Sequence, residues 1–279
     1  MLNSTDPEGD NDMKTEKQAQ SFEKYFDEDL KYFNQDTLRY YCCSNEALFG
    51  EGTVVRALVL EFPGLGGGSC LGGSMENLSV YDNPFTRRCA EKGIVVAYMF
   101  PGPWSWMNKG AVRVTDLVVN AFMQKYGWKS DNDFSLVVMG GSMGGQSSLI
   151  YSIDSSHRVS ACVAHCPCYD VNDCFSVLES FPRTFVSAVN TYDMPLDEAL
   201  RLISPSFRIG ELPDIPYLIT ADEFDEIIPL NGLENYVDLV KKAGLNVTYM
   251  RLEGQTHGGI SAEDREKMND FVLKYSKKN

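Results

Sequence analysis

Residues 135–145 read Ser-Leu-Val-Val-Met-Gly-Gly-Ser-Met-Gly-Gly. The run from Ser135 to Met139 is short and apolar, which suits a strand covered on both faces. The next stretch contains Gly-x-Ser-x-Gly, centred on Ser142 and flanked by Gly140 and Gly144. Residues 143–153 then continue as a helix. A sharp strand-to-helix turn holds the serine in a strained backbone conformation. The glycines on either side let the strand end and the helix start approach without side-chain clash. The hydroxyl projects from the sheet edge, and the Met143 amide sits at a helix N-terminus, pointing at a reacting oxygen. A serine in a glycine-rich turn also caps helices. A phosphate cradle would need the Gly-Lys-Ser/Thr ending that is absent here.

Outward from this turn, strand and helix signals alternate. Strands are expected at Leu38–Cys43, Thr53–Phe62, Ile94–Phe100, Val159–Ala164, Tyr217–Thr220 and Val247–Leu252. Helices are expected at Asp82–Glu91, Val112–Tyr126, Asn231–Ala243 and Ala262–Tyr275, the first three stopped by Gly93, Gly127 and Gly244. Apolar strands alternating with helices imply a parallel sheet with helices on both faces. Residues 166–212 break the alternation and are expected to be a helical insertion. Residues 1–20 are polar and acidic and read as a disordered tail, followed by a candidate helix from Ser21 to Phe33. The domain is therefore expected over 21–279.

A serine nucleophile needs a base, and the base needs an orienting acid. Only His157, His165 and His257 are available. His157 lies in a connection at the far end of the sheet. His165 ends a strand ahead of any acid-bearing strand and reads as a core histidine. His257 follows the last strand in a glycine loop, the order expected for this turn. Asp222, Glu223, Asp225 and Glu226 are expected just past a strand end. Asp225 is favoured over Asp222 as the acid, and most of the others read as solvated. Met143 and Leu65, with Gly66 next, are the candidate oxyanion donors, because Pro63-Gly64-Leu65-Gly66-Gly67 lets amides line a cavity. Trp104 and Trp106 offer a face for substrate or pack beneath the insertion.

The chain has 39 acidic and 25 basic residues, a formal charge of -14. That disfavours nucleic-acid and anionic-lipid partners. Residues 1–30 hold nine acids against three lysines, so much of the charge lies outside the core. No 18-residue apolar run or export signal is visible, and a cytoplasmic location is expected. The eight cysteines are expected to be reduced and buried. Cys162, Cys166, Cys168 and Cys174 around His165 only superficially resemble metal ligands.

On Gly-Gly-Ser-Met-Gly-Gly, Ser204-Pro205, Asp225-Glu-Ile-Ile-Pro229 and the 241–250 stretch leading to His257, the chain resembles the α/β-hydrolase superfamily. Within it, the chain resembles the prolyl oligopeptidase catalytic domain and dienelactone-hydrolase-like esterases. The resemblance spans about residues 53–277. It implies an α/β-hydrolase fold, with Ser142, Asp225 and His257 as catalytic triad and Leu65 and Met143 at the oxyanion positions. Where many relatives have His-Gly, this chain has Phe62-Pro63-Gly64. No propeller-sized segment precedes the domain, so small substrates are expected. The leading expectation is a cofactor-free, metal-free serine esterase acting on a small ester, with the insertion as lid. The alternatives are a peptidase or acyl-aminoacyl hydrolase, and a non-catalytic binding protein on the same scaffold. Homo-oligomer formation is left open.

Overall fold

The computed structural model describes residues 33–66 and 80–277. The expected tail, and the candidate helix up to residue 32, lie outside the described residues. The elements in chain order are β1 (Cys42–Ser44), β2 (Ala57–Phe62), α1 (Pro84–Glu91), β3 (Ile94–Met99), α2 (Lys109–Tyr126), β4 (Ser135–Gly141), α3 (Met143–Asp154) and β5 (Val159–His165). They continue as α4 (Val171–Cys174), α5 (Phe181–Val189), α6 (Leu196–Leu202), β6 (Tyr217–Asp222), α7 (Leu230–Lys242), β7 (Val247–Leu252) and α8 (Ala262–Tyr275).

The strands form one seven-stranded sheet in the order β1-β3-β2-β4-β5-β6-β7. β1 runs antiparallel to β3, and every other pairing is parallel. Alternate strand residues face opposite layers. Leu58, Leu60 and Phe62 join α2, α3 and α7 in the larger core. Ala57 and Val59 join α1 and α8 in the smaller one. Burial on both faces is why these strands read as continuous apolar runs rather than alternating ones. This is the α/β-hydrolase fold.

The local signals set several boundaries. Gly127 caps α2 in the left-handed region at φ 69°, where glycine carries no Cβ penalty. Asn83 caps α1 with a reciprocal bond to Thr86. At the first strand the expectation fails. Leu38–Tyr40 is a single 3-10 turn and only Cys42–Ser44 pairs with β3. Leu38 drops into the core there, and Tyr41 N–H closes back on its carbonyl. β2 starts later than expected, because pairing begins where Ala57 meets Ile94. β6 runs on to Asp222, which pairs with Leu252 and is fully buried. Asp222 is thus a strand residue rather than a loop acid.

The 166–212 segment contains α4, α5, α6 and a 3-10 stretch at Pro205–Glu211, with no strand. Arg208 fastens it to α3. The residue is 8% exposed, and its guanidinium donates to both oxygens of Asp154 at 2.6 and 2.7 Å and to Glu211 at 2.7 Å. Asp154 and Glu211 keep some access to water. Arg208→Ala is therefore expected to cost about 2–3 kcal/mol, below the range for fully buried pairs. A urea titration at neutral pH checks this, and an unchanged midpoint would refute it. Among the described residues, no helix is long and apolar enough to cross a membrane.

Candidate active site

Ser142 stands between β4 and α3 with φ 56° and ψ -119°. A non-glycine residue there stores about 1–3 kcal/mol of strain. The turn is tight because the glycines permit it. A Cβ on Gly144 would lie 2.2 Å from the Phe62 carbonyl oxygen, and one on Gly140 would lie 2.5 Å from the Gly144 backbone. Although Ser142 occupies the N-cap position, its side chain makes no cap bond. Its Oγ lies 2.9 Å from His257 Nε2 instead. The other ring nitrogen, Nδ1, donates to the Asp225 carboxylate, 2.8 Å from Oδ2 and 3.0 Å from Oδ1. A carboxylate only accepts, so Nδ1 carries the proton and Nε2 is left to accept from the serine hydroxyl. Asp225 is fixed in turn, its Oδ1 taking the amides of Ile227 and Ile228 at 2.8 Å each.

Of the acids at the end of β6, Asp222 is buried, whereas Glu226 is exposed and Glu223 partly so, as expected of solvated acids; each nonetheless accepts an amide. Asp222 Oδ2 accepts the Gly258 amide at 2.7 Å, and Glu223 accepts the Gly254 amide at 2.9 Å. Glu226 accepts the His257 amide at 3.4 Å. All four acids therefore hold the loop that carries His257, each at a different point. Burial pushes the Asp222 pKa up, with His165 opposing. His165 is pushed down by its own burial, which favours the neutral imidazole. Its Nδ1 lies 2.7 Å from Thr220 Oγ1. It is the core histidine expected, although it borders the cleft. His157 lies elsewhere, paired with Asp131 at 2.8 Å.

Ser142 opens into a cavity of about 460 Å³. Leu65 and Gly66 line it, and the loop they belong to runs close against the turn: a Cβ on Gly64 would sit 3.5 Å from the Gly141 carbonyl. Met143 begins α3, so its amide is one of the donors a helix leaves unpaired at its start. Leu178, Phe181 and Ile227 give the cavity an apolar side, and Glu61 and Tyr98 a polar one. Leu178 and Phe181 come from the insertion.

Neither tryptophan lines the cavity. Trp106 is fully buried, donates to Thr184 Oγ1 at 3.1 Å and packs its ring on Phe181 and Phe185. The expectation of a substrate face at Trp106 is corrected: α5 covers the indole completely. Trp104 is half-buried and packs against the same core, with the Arg183 guanidinium 6.0 Å from its ring. Trp104, Trp106 and Met107 all have φ between 44° and 50°, a conformation that sequence does not announce for such residues. Gln146, one turn into α3, holds this loop by donating from Nε2 to the Trp106 carbonyl at 3.0 Å. The same nitrogen donates to the Ile203 carbonyl at 2.7 Å.

Donor atoms of Cys166, Asp222, Asp225 and His257 lie within 4.8 Å of one another. Both imidazole nitrogens in that group are already engaged, by Asp225 and Ser142. Cys162, Cys168 and Cys174 do not belong to it. The seven described cysteines are buried and form no disulfide. Cys70 lies outside the described residues. The cleft residues that sequence reading missed are Glu61, Tyr98, Leu178, Phe181 and Ile227. One signal was available, the lone acid Glu61 near the end of an apolar strand.

A model of the prolyl oligopeptidase family matches residues 104–279. No curated protein matches the chain. Among solved structures, an acylaminoacyl peptidase in complex with a peptidyl chloromethyl ketone is similar at TM-score 0.61 and 16% identity. That match covers 81% of this chain and 37% of the other. Puromycin hydrolase is similar at TM-score 0.62 and 17% identity, covering 81% of this chain and 34% of the other. A truncated carbohydrate esterase from gut microbiota is similar at TM-score 0.59 and 14% identity, covering 81% of this chain and 87% of the other. The chain thus spans little more than a third of the length of the two former proteins. At such identities the likeness establishes the fold alone.

Proposed function

This chain belongs to the prolyl oligopeptidase family, and from that premise we propose that it is a serine hydrolase cleaving carboxylic esters of small substrates. The carrying observation is the continuous chain from Ser142 Oγ through His257 to Asp225, at the mouth of a cavity sized for a small molecule. Ser142 Oγ attacks the acyl carbon while its proton passes to His257 Nε2. The oxyanion is met by the Met143 and Leu65 amides, with Gly66 beside them. On collapse, the leaving group takes the proton from His257. Water, deprotonated by the same imidazole, then releases the acid from Ser142. The 166–212 insertion acts as the cover of the acyl pocket through Leu178 and Phe181.

A second reading, a peptidase or acyl-aminoacyl hydrolase, uses the same parts. It is favoured by the family's name and by two of the similar structures. The ester reading is favoured by the esterase that this chain nearly spans. Matched p-nitrophenyl esters and peptide p-nitroanilides decide between them. The expected outcome is higher kcat/KM on the esters beyond their greater intrinsic reactivity. Preferential turnover of the amides would overturn the ester reading and keep the hydrolase.

A further inference from the structure

Glu61 is the next-to-last residue of β2 and the one charged side chain in that strand. It lies beside Tyr98 in the β2–β3 register. Its carboxylate accepts the Tyr81 hydroxyl at 2.7 Å, and the Tyr81 and Tyr98 rings are 5.5 Å apart, centre to centre. Glu61 and Tyr98 line the cavity that Ser142 opens into. Burial drives the Glu61 pKa up, opposed by the Tyr81 bond and, through space, by Arg265. Arg265 is exposed on α8 and does not border the cavity. Among the described residues, no lysine or arginine lines it.

A carboxylate lining the cavity, with the Tyr98 ring on the same wall and its charge held in place by the Tyr81 hydroxyl, has the parts that recognise an organic cation. The carboxylate supplies the charge. An aromatic ring attracts a cation placed over its face within about 6 Å. An anionic substrate would meet repulsion at the same place. We propose that Glu61 and Tyr98, with Tyr81 holding the carboxylate, form a subsite for an ammonium group of the substrate, primary to quaternary. This rests on the hydrolase reading above and narrows its substrates to acyl compounds carrying a cation. The cation would also hold Glu61 ionised against its burial.

The test uses pairs that differ only in charge. One pair is choline butyrate and the butyrate ester of choline's carbon isostere, with tert-butyl in place of trimethylammonium. The other places the same exchange at the end of the acyl chain of a p-nitrophenyl ester. The wild type is expected to favour the cation at least about tenfold in kcat/KM in one pair, and Glu61→Gln to bring that ratio close to one. Tyr98→Leu, which keeps the carboxylate, is expected to lower the ratio severalfold. Thermal denaturation verifies that both variants fold. In parallel, calorimetry compares the binding of choline and its carbon isostere, which needs no turnover. If no ester is cleaved, the hydrolase reading fails and calorimetry still decides the subsite. Equal binding of the two probes, or a preference that survives Glu61→Gln, overturns it.

Discussion

Ser142→Ala is expected to lower kcat on any ester substrate by on the order of 10⁶-fold, the scale for removing the nucleophile of a working triad. It is also expected to abolish covalent labelling by a fluorophosphonate. The variant removes only the Oγ that bonds His257 Nε2. That hydroxyl does not cap α3, so the helix loses nothing and the thermal midpoint is expected to stay within a few degrees. Labelling that persists in Ser142→Ala would move the nucleophile elsewhere and defeat the mechanism. A companion variant separates chemistry from strain. Ser142→Gly suits φ 56° better and is expected to gain about 1 kcal/mol of stability while losing the same activity.

Asp225→Asn is expected to cost about 10⁴-fold in kcat with little effect on KM. The amide nitrogen would donate toward His257 Nδ1, forcing the ring proton onto Nε2 and removing the acceptor that Ser142 needs. The carbonyl oxygen can still take the Ile227 and Ile228 amides, so the turn survives. Asp222→Asn provides the contrast. Its new amide oxygen can still accept the Gly258 amide that Asp222 now holds, so kcat is expected to fall by no more than about tenfold. The two variants differ by one atom type at neighbouring acids, which makes misfolding a poor explanation of a large gap. If Asp222→Asn proves the more damaging, the acid has been assigned to the wrong carboxylate.

How much of this was legible depended on whether the signal was local. The Ser142 turn was legible because its requirements are local: an apolar strand, two glycines and a helix start. α2 was legible because its buried residues recur at helical spacing and Gly127 ends it. His257 could be nominated from chain order, and Asp225 from the Glu-Ile-Ile-Pro turn that follows it, although 32 residues separate them. What failed to show was set by distant contacts. Three strand residues at Cys42–Ser44 carry too little pattern to be told from the neighbouring 3-10 turn. Trp106 is buried by α5, and its indole partner Thr184 lies 78 residues along the chain. Asp222 looked like a loop acid because nothing in its neighbours announces pairing with Leu252. The bracing by Glu223 and Glu226 likewise depends on where the His257 loop returns.

Gln146 has a consequence for how molecules reach Ser142. Its one amide nitrogen binds both the Trp106 loop and the end of α6, at Ile203, while sitting on the helix that starts beside Ser142. Arg208 pins the same region to the far end of that helix. The roof over the cleft is therefore riveted to the floor beneath the serine at two points, about two helical turns apart. Such a roof behaves as a fixed wall rather than a swinging door. The cavity's remaining walls include Leu65, Gly66 and Ile227, on other segments of the chain. Selection for larger substrates would find its gains there.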